Sequence, residues 1–429
     1  MFATTIVAFH FICLDRNTKQ CSVYNLYPEH EGTFVLHHIP EHVNVLIFSQ
    51  LMTRTVDHSI LSNLAPTIKH VLLVDSAAVK NIIVPSNSTI ERLFIARAGL
   101  DRIRYEVNDL LVLLSIEKVP LNYIHLSLAN LRNLSYIKIN HTPMEVLNLA
   151  LFCHMRRLQT LDLNHNRIRT IIGNHQYFNG CGMLTEILLG NNRLTTVDPR
   201  VFGPFSRLQA LKLSENRIHT ISPGFKNPHV TDLELSKNML STFDLCDSGP
   251  MPHITTFYVE TNKLIDVPQC LERMPNVEVL NLEHNQLTNV SIDVFKGLKH
   301  LQYLRLSWNP IVSFAVHEHS LPPGLIEIDV RNNGLEHLNI SETLFLVSIV
   351  ALQYGSTAFQ FRCEEIKKNY TCTIANYSPT LEGTYLFNHV PNRTDTMEFK
   401  NLNLTIINST LLSYLPPTVT TLSVSESSK

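Results

Sequence analysis

The sequence predicts an α/β solenoid, with a curved parallel β-sheet on its concave face and short helical or irregular segments on its convex face. Three observations predict it. An eleven-residue pattern returns at a nearly constant interval along the chain. Its apolar positions alternate, as the inward-facing residues of a short strand do. An asparagine recurs at one fixed place within the pattern.

From Leu158 the chain reads LQTLDLNHNRI, which fits L-x-x-L-x-L-x-x-N-x-L at every fixed position. The frame returns as LTEILLGNNRL, LQALKLSENRI, VTDLELSKNML, ITTFYVETNKL, VEVLNLEHNQL, LQYLRLSWNPI and LIEIDVRNNGL. The template asparagines are Asn166, Asn192, Asn216, Asn238, Asn262, Asn285, Asn309 and Asn333, spaced by 22 to 26 residues. This is the leucine-rich repeat, and the fold class is therefore α/β, a leucine-rich-repeat solenoid. Upstream the frame keeps its fourth position at Val71, Leu93, Leu114 and Ile137 but replaces the asparagine by Ser76, Ala98, Val119 and Thr142. Such degenerate repeats are expected near one end of an array.

The physical logic follows from the spacing. One coil cannot bury its apolar face alone, so neighbours stack and share a core. The buried asparagine side chain is placed to satisfy backbone groups of the turn. Phe178, Phe202 and Phe295 share the spacing F-x-x-x-x-x-L and are expected to fill the convex side.

The end of the chain repeats its beginning. CSVYNLYPEHEGTFVLHHIP from Cys21 matches CTIANYSPTLEGTYLFNHVP from Cys372 at an offset of 351. The organisation read from this is a leader-like segment over 1–12, a disulfide N-terminal cap over 13–42 and a solenoid of about twelve to thirteen repeats over 43–358. A second cap follows over 359–393 and the start of a second repeat domain over 394–429. Two readings of the duplication stand open, a tandem protein and two neighbouring genes joined in one chain. The opening MFATTIVAFHFIC has the apolar stretch of a secretory signal but no basic n-region; a buried strand or a truncated product are the alternatives.

Composition narrows the function. The net charge of −2 argues against broad electrostatic binding of nucleic acid. The longest apolar run, LFLVSIVAL from Leu344, is shorter than the roughly 18 to 20 residues of a membrane span. No G-x-S-x-G, P-loop, H-E-x-x-H or C-x-x-C occurs, so the chain is read as no enzyme and as needing no cofactor. The adjacent Cys153 and His154 lack a pocket to act in. His317-Glu318-His319 lacks a third fixed metal ligand.

Eight cysteines fall into local pairs: Cys13 with Cys21, Cys153 with Cys181, Cys246 with Cys270, and Cys363 with Cys372. Cys246 and Cys270 hold the same template position in consecutive coils, where strand spacing suits a disulfide. Free buried thiols are the alternative. Glycosylation sequons begin at Asn87, Asn133, Asn140, Asn289, Asn339, Asn369, Asn376, Asn392, Asn403 and Asn408. Together these features favour an extracellular, secreted protein.

Binding is expected on the concave face, at the variable positions between the template leucines. The later repeats place Tyr258, Glu260, Asn281, Glu283, His284, Tyr303, Arg305, Trp308, Asp329 and Arg331 there. Tyr, Trp and Arg are the side chains that most often dominate protein interfaces, and Trp308 is the only Trp. His141 and His165 hold equivalent positions on adjacent coils.

The cap pair C-x7-C, the following VNVLIFSQ and its partner MEFKNLNLTIINSTLLSYLP resemble the N-terminal caps of mosquito leucine-rich immune proteins. The resemblance implies a protein secreted into haemolymph that supports innate immunity, with a protein ligand such as a complement-like thioester protein or another leucine-rich-repeat protein. Family members dimerise through a C-terminal coiled coil; this chain has no heptad segment and no double-cysteine motif after its repeats. What carries over residue by residue is the cap pair, Cys13 and Cys21, repeated at Cys363 and Cys372. The alternative reading is the ectodomain of a Toll-like receptor or adhesion protein.

Overall fold

The computed structural model describes residues 9–13, 19–173, 181, 183–222, 224–316, 320–334, 337–340, 348–351, 359–366, 369–375, 390, 393–400, 415 and 417–425. For 316, 337–340, 348–351, 359–366, 369–370 and 424–425 the description is of the backbone. The chain forms two compact units, the first Met1–Ile218 with Phe225–Val230 and the second His219–Gly224 with Thr231–Lys429.

The first unit opens with an antiparallel hairpin of His10–Cys13 and Gln20–Tyr24, with Cys13 opposite Cys21. The two are disulfide-bonded, their Cα atoms 4.1 Å apart. Residues His10–Ile12, within the leader-like segment, thus contribute a strand to the sheet. Gln20–Tyr24 then pairs in parallel with Val45–Ser49, the first strand of the repeat ladder. Template position four stays in register from coil to coil: Leu46, Val71, Leu93, Leu114, Ile137, Leu161, Ile187 and Leu211. These side chains are at most 2% exposed. Burying a leucine stabilises by about 1.5–3 kcal/mol, so stacking, which no coil can achieve alone, supplies the cohesion.

The second unit continues the pattern through Asp232–Glu234, Thr256–Tyr258, Val279–Asn281, Tyr303–Arg305, Glu327–Asp329 and Ser348–Ala351, all parallel. There Leu233, Phe257, Leu280, Leu304, Ile328 and Ile349 share one register. Phe359–Ile366 then pairs antiparallel with both Ser348–Ala351 and Asn369–Ala375. Parallel pairing resumes through Thr396–Lys400 and Thr421–Ser425. Cys363 lies across from Cys372 in this hairpin. Cys372 is disulfide-bonded; the side chain of Cys363 lies outside the described residues.

The short convex segments are 3-10 turns and narrow secondary sheets. Examples are Leu149–His154, Pro199–Phe202 and Ile292–Phe295, each opened by a capping side chain from Asn148, Asp198 or Ser291. Phe202 and Phe295 are fully buried beneath them; Phe178 lies outside the described residues. Only two α-helices occur among the described residues, Pro28–Glu31 and His58–Leu61, of four residues each.

The strands change length where the asparagine appears. The asparagine-free coils carry five-residue strands, such as His70–Val74, Arg92–Ala96 and Leu113–Glu117. From Thr160–Asp162 to Glu327–Asp329, where the asparagine is present, the repeat strands are three residues long. The physical reason is that backbone groups must be paired somewhere: without the asparagine the sheet ladder extends, and with it the side chain takes over.

Candidate concave interface

Each template asparagine does the same work. Asn285 is 6% exposed. Its Nδ2 donates to the carbonyls of Val259 on the preceding coil and Leu282 on its own, at 3.2 and 3.0 Å. Its Oδ1 accepts from the Leu264 N–H at 3.0 Å. Asn309 repeats this with Leu282, Leu306 and the Leu287 N–H. A carbonyl such as Leu282 therefore receives two asparagine amides, using both lone pairs. Ser76 does part of the same job in the degenerate region, accepting from the Leu51 N–H and donating to the Val74 carbonyl.

The residue just before the asparagine is left-handed in every one of these coils. Its φ is +57° at His165 and Thr261, +52° at His284 and +58° at Trp308. A left-handed backbone costs a non-glycine residue roughly 1–2 kcal/mol. The turn holds because its N–H donates to the next coil, as His284 does to Ser307 and Trp308 to Arg331. The consequence is a column of side chains thrown clear of the sheet. One aromatic pair stacks in each unit: His141 on His165 in the first, ring centroids 4.9 Å apart, and His284 on Trp308 in the second, 5.2 Å apart.

Around that column lie the residues read from the sequence. Trp308 is 54% exposed and Tyr258 41%. Tyr303 and Arg305 are half-exposed, and Arg305 has no ion-pair partner among the described residues. Glu283 accepts from the Ser307 hydroxyl at 2.7 Å and is thereby oriented. Asp329 needs correction as a contact residue. It is 0% exposed, because its carboxylate caps the Arg331 N–H and is gripped by the Arg331 guanidinium at 2.8 and 2.5 Å. Arg331 remains half-exposed; Asp329 positions it and is itself covered.

Glu260 is half-buried, and one carboxylate oxygen is fully covered with no hydrogen-bond partner among the described residues. Burial, reinforced by the negative charges of Glu234 and Glu283, holds its carboxyl above the usual carboxylate range. The sequence reading missed Glu234 as a member of this acidic row. It holds the fifth template position, as Tyr258 and Arg305 do, which alternation places on the same outward face as Glu260 and Glu283 at the seventh; the contact residues read from the sequence begin one coil later, at Tyr258.

Disulfides join Cys153 to Cys181 and Cys246 to Cys270, with Cα separations of 4.1 and 5.0 Å. Cys153 is thereby withdrawn from nucleophilic chemistry. Asp244 beside Cys246 and Cys270 forms the one cysteine–carboxylate group of metal-site size among the described residues, but both thiols are bonded to each other. His317-Glu318-His319 lies outside the described residues.

The sequons divide. Asn87 and Asn289 are exposed, and Asn133 is half-exposed with its amide on the Asp109 carbonyl. Asn140 is corrected: it is 5% exposed at the end of strand Tyr136–Asn140, and its hydroxyl partner Thr142 is bonded to Asn166. An oligosaccharide has no room on that amide. The side chains of Asn339, Asn369, Asn376, Asn392, Asn403 and Asn408 lie outside the described residues. No helix among the described residues is long and apolar enough to cross a membrane.

Comparison with known proteins agrees with this geometry. The model of the family described as "Leucine rich repeat" matches residues 182–225 and 252–311, and a second, "Leucine Rich Repeat", matches 157–176. Tsukushi of Gallus gallus is 27% identical over 252 residues, 58% of this chain and 59% of its own length. Lumican of Gallus gallus is 27% identical over 219 residues, 49% and 62% of the respective chains. The chain thus spans about three-fifths of the length of these curated relatives. Among solved structures, the TLR13–ssRNA13 complex superposes with a TM-score of 0.61 at 19% identity, covering 90% of this chain and 54% of that one. A chain of the LRIM1/APL1C complex does so at 0.53 and 16%, covering 95% and 70%. At such identities these structures report on the fold. The chain carries leucine-rich repeats over these residues and has the fold of a leucine-rich-repeat solenoid.

Proposed function

We propose that this chain is a secreted, non-enzymatic protein-binding protein of insect innate immunity. It acts as a recognition or scaffold component that holds a protein ligand, such as a complement-like thioester protein, on its concave face. The observation that carries the reading is the exposed row of Tyr258, His284 and Trp308 beside the half-exposed Tyr303 and Arg305 and the oriented Glu283. Rigid aromatics bury large area at low entropic cost, and arginine adds a planar fork of donors; these side chains most often dominate interfaces. The left-handed turn pre-positions Trp308, so little ordering remains to be done on binding. Three disulfides and two exposed sequons suit the secretory route. Two relatives of similar sequence, Tsukushi and Lumican, and the LRIM1/APL1C complex supply the class of protein from which the reading is drawn.

The test is the affinity of the purified chain for a complement-like thioester protein from insect haemolymph. Trp308→Ala and Arg305→Ala are each expected to weaken it by about 2 kcal/mol, some thirtyfold in Kd. Val294→Ala, on the convex side, should leave it unchanged. Binding that ignores Trp308 and Arg305 alike would refute the placement of the interface. No binding at all would refute the ligand class.

A further inference from the structure

We infer that the flank of the first unit carrying Arg167, Arg193 and Arg217 is a binding surface for a sulfated polysaccharide. The three arginines hold one template position, directly after the ladder asparagines Asn166, Asn192 and Asn216. The preceding repeat has Pro143 there and the following repeat Met239. The run therefore covers three consecutive coils and then stops.

The backbone fixes their spacing. The Arg193 N–H donates to the Ile168 carbonyl at 2.9 Å, and the Arg217 N–H to the Leu194 carbonyl at 3.0 Å. Asn192 and Asn216 pin the same turns by accepting from the N–H groups of Ile168 and Leu194. Each arginine stands between two buried residues, its asparagine and Ile168, Leu194 or Ile218. Arg167 and Arg217 are exposed and Arg193 is half-exposed. Hydrogen-bonded coils lie about 5 Å apart, so three arginine stems leave the surface in a line at that interval.

Their charge is uncompensated. None of the three guanidinium groups has a hydrogen-bond or ion-pair partner among the described residues. The acidic groups of these coils are engaged elsewhere: Asp162 with the Asn164 N–H, Glu186 with the Thr160 hydroxyl, Asp198 with Arg200 and Glu215 with the Asn191 amide. Residues 158–218 carry seven Lys and Arg against four Asp and Glu, in a chain whose net charge is −2. Like charges at this interval repel one another, and a partner with regularly spaced anions relieves the repulsion.

Geometry and chemistry choose the partner. A line of cations matches a linear polyanion better than the plane of a membrane. The arginine fork grips an oxyanion through two parallel hydrogen bonds. Surfaces for single-stranded nucleic acid interleave cations with aromatic platforms, whereas the exposed neighbours of Arg193 along the chain are Asn191 and Thr195. Disulfides and exposed sequons suit the secretory route, where sulfated glycans are the polyanions at hand. The surface lies in the first unit and the proposed protein-binding row in the second; neither reading depends on the other.

The test measures Kd of the full chain for a heparin oligosaccharide between about 50 and 300 mM NaCl. Binding is expected. R167A, R193A and R217A should each weaken it about fivefold near physiological salt and lower the slope of log Kd against log salt by about one. R193K keeps the charge and should keep the slope. The control is R97A, which removes a guanidinium already matched by Asp75 and should change neither quantity. Desulfated heparin should compete at least about tenfold less well than heparin. A parent that does not bind, or arginine variants that behave as R97A does, would overturn the proposal. So would equal competition by desulfated heparin, by single-stranded DNA of the same length or by phosphatidylserine vesicles. The substituted side chains face solvent, and far-UV dichroism verifies the fold of each variant.

Discussion

The shared carbonyls of the asparagine ladder make a quantitative prediction. Asn285→Ala leaves the buried Leu264 N–H without an acceptor, at a cost of about 1–3 kcal/mol. It also removes one of two amide donors from the carbonyls of Val259 and Leu282, which keep Asn262 and Asn309 respectively. Each lost bond adds about 0.5–1 kcal/mol, so the single substitution should cost roughly 2–5 kcal/mol. Asn309→Ala should behave alike. Combined, the two strip both asparagine donors from the Leu282 carbonyl. The double variant should therefore exceed the sum of the singles by about 1–3 kcal/mol, the cost of one buried group left unsatisfied. The control is Asn262→Ala with Asn309→Ala. These asparagines share no carbonyl and should add within about 0.5 kcal/mol. Urea denaturation of the parent, the three single variants and the two doubles, followed by far-UV dichroism, gives the coupling energies. Equal coupling in both pairs, or coupling below about 0.5 kcal/mol in the adjacent pair, would refute the shared-carbonyl account.

Other outcomes follow from the same geometry. Burial and like charge raise the Glu260 carboxyl, so its protonated form favours the fold. That contribution is complete below the ordinary glutamate pKa of about 4.3 and is lost as pH rises through the raised folded value. E260Q should therefore match the parent Tm in acid and exceed it at neutral pH; a gap that does not change with pH would sink this. The Cys246–Cys270 bridge closes a loop of 24 residues, and replacing both by alanine should cost about 2–4 kcal/mol in urea unfolding; an unchanged midpoint would contradict it. Glycopeptide mapping of protein secreted from insect cells should find sugar on Asn87 and Asn289 and none on Asn140. Occupied Asn140 would mean that its strand end is open in the folded chain.

The concave surface shows how far residue pattern reaches. Alternation at the template leucines correctly faces Tyr258, Glu283, Tyr303 and Arg305 away from the core, since period two is a property of any short strand. It fails at Asp329, which has the same template position as Tyr258 and Arg305. There the partner two residues on, Arg331, folds back over the carboxylate, a choice made by neighbouring side chains rather than by strand period. It fails likewise at Asn140, a sequon by spelling and a buried amide by position.

What the sequence determined is the repeat: a local pattern of leucines and asparagines, each coil imposing the same stacking on the next, so that fold, register and inward face are all encoded within one period. Tertiary structure alone decided three things. It paired the imidazole of His284 with Trp308. It gathered Glu234, Glu260 and Glu283 from three coils into one acidic row. It closed the edge of Phe359–Ile366 with Ser348–Ala351. Each depends on contacts between coils more than twenty residues apart, or on which strand reaches an edge, and a pattern confined to one period carries no information about either.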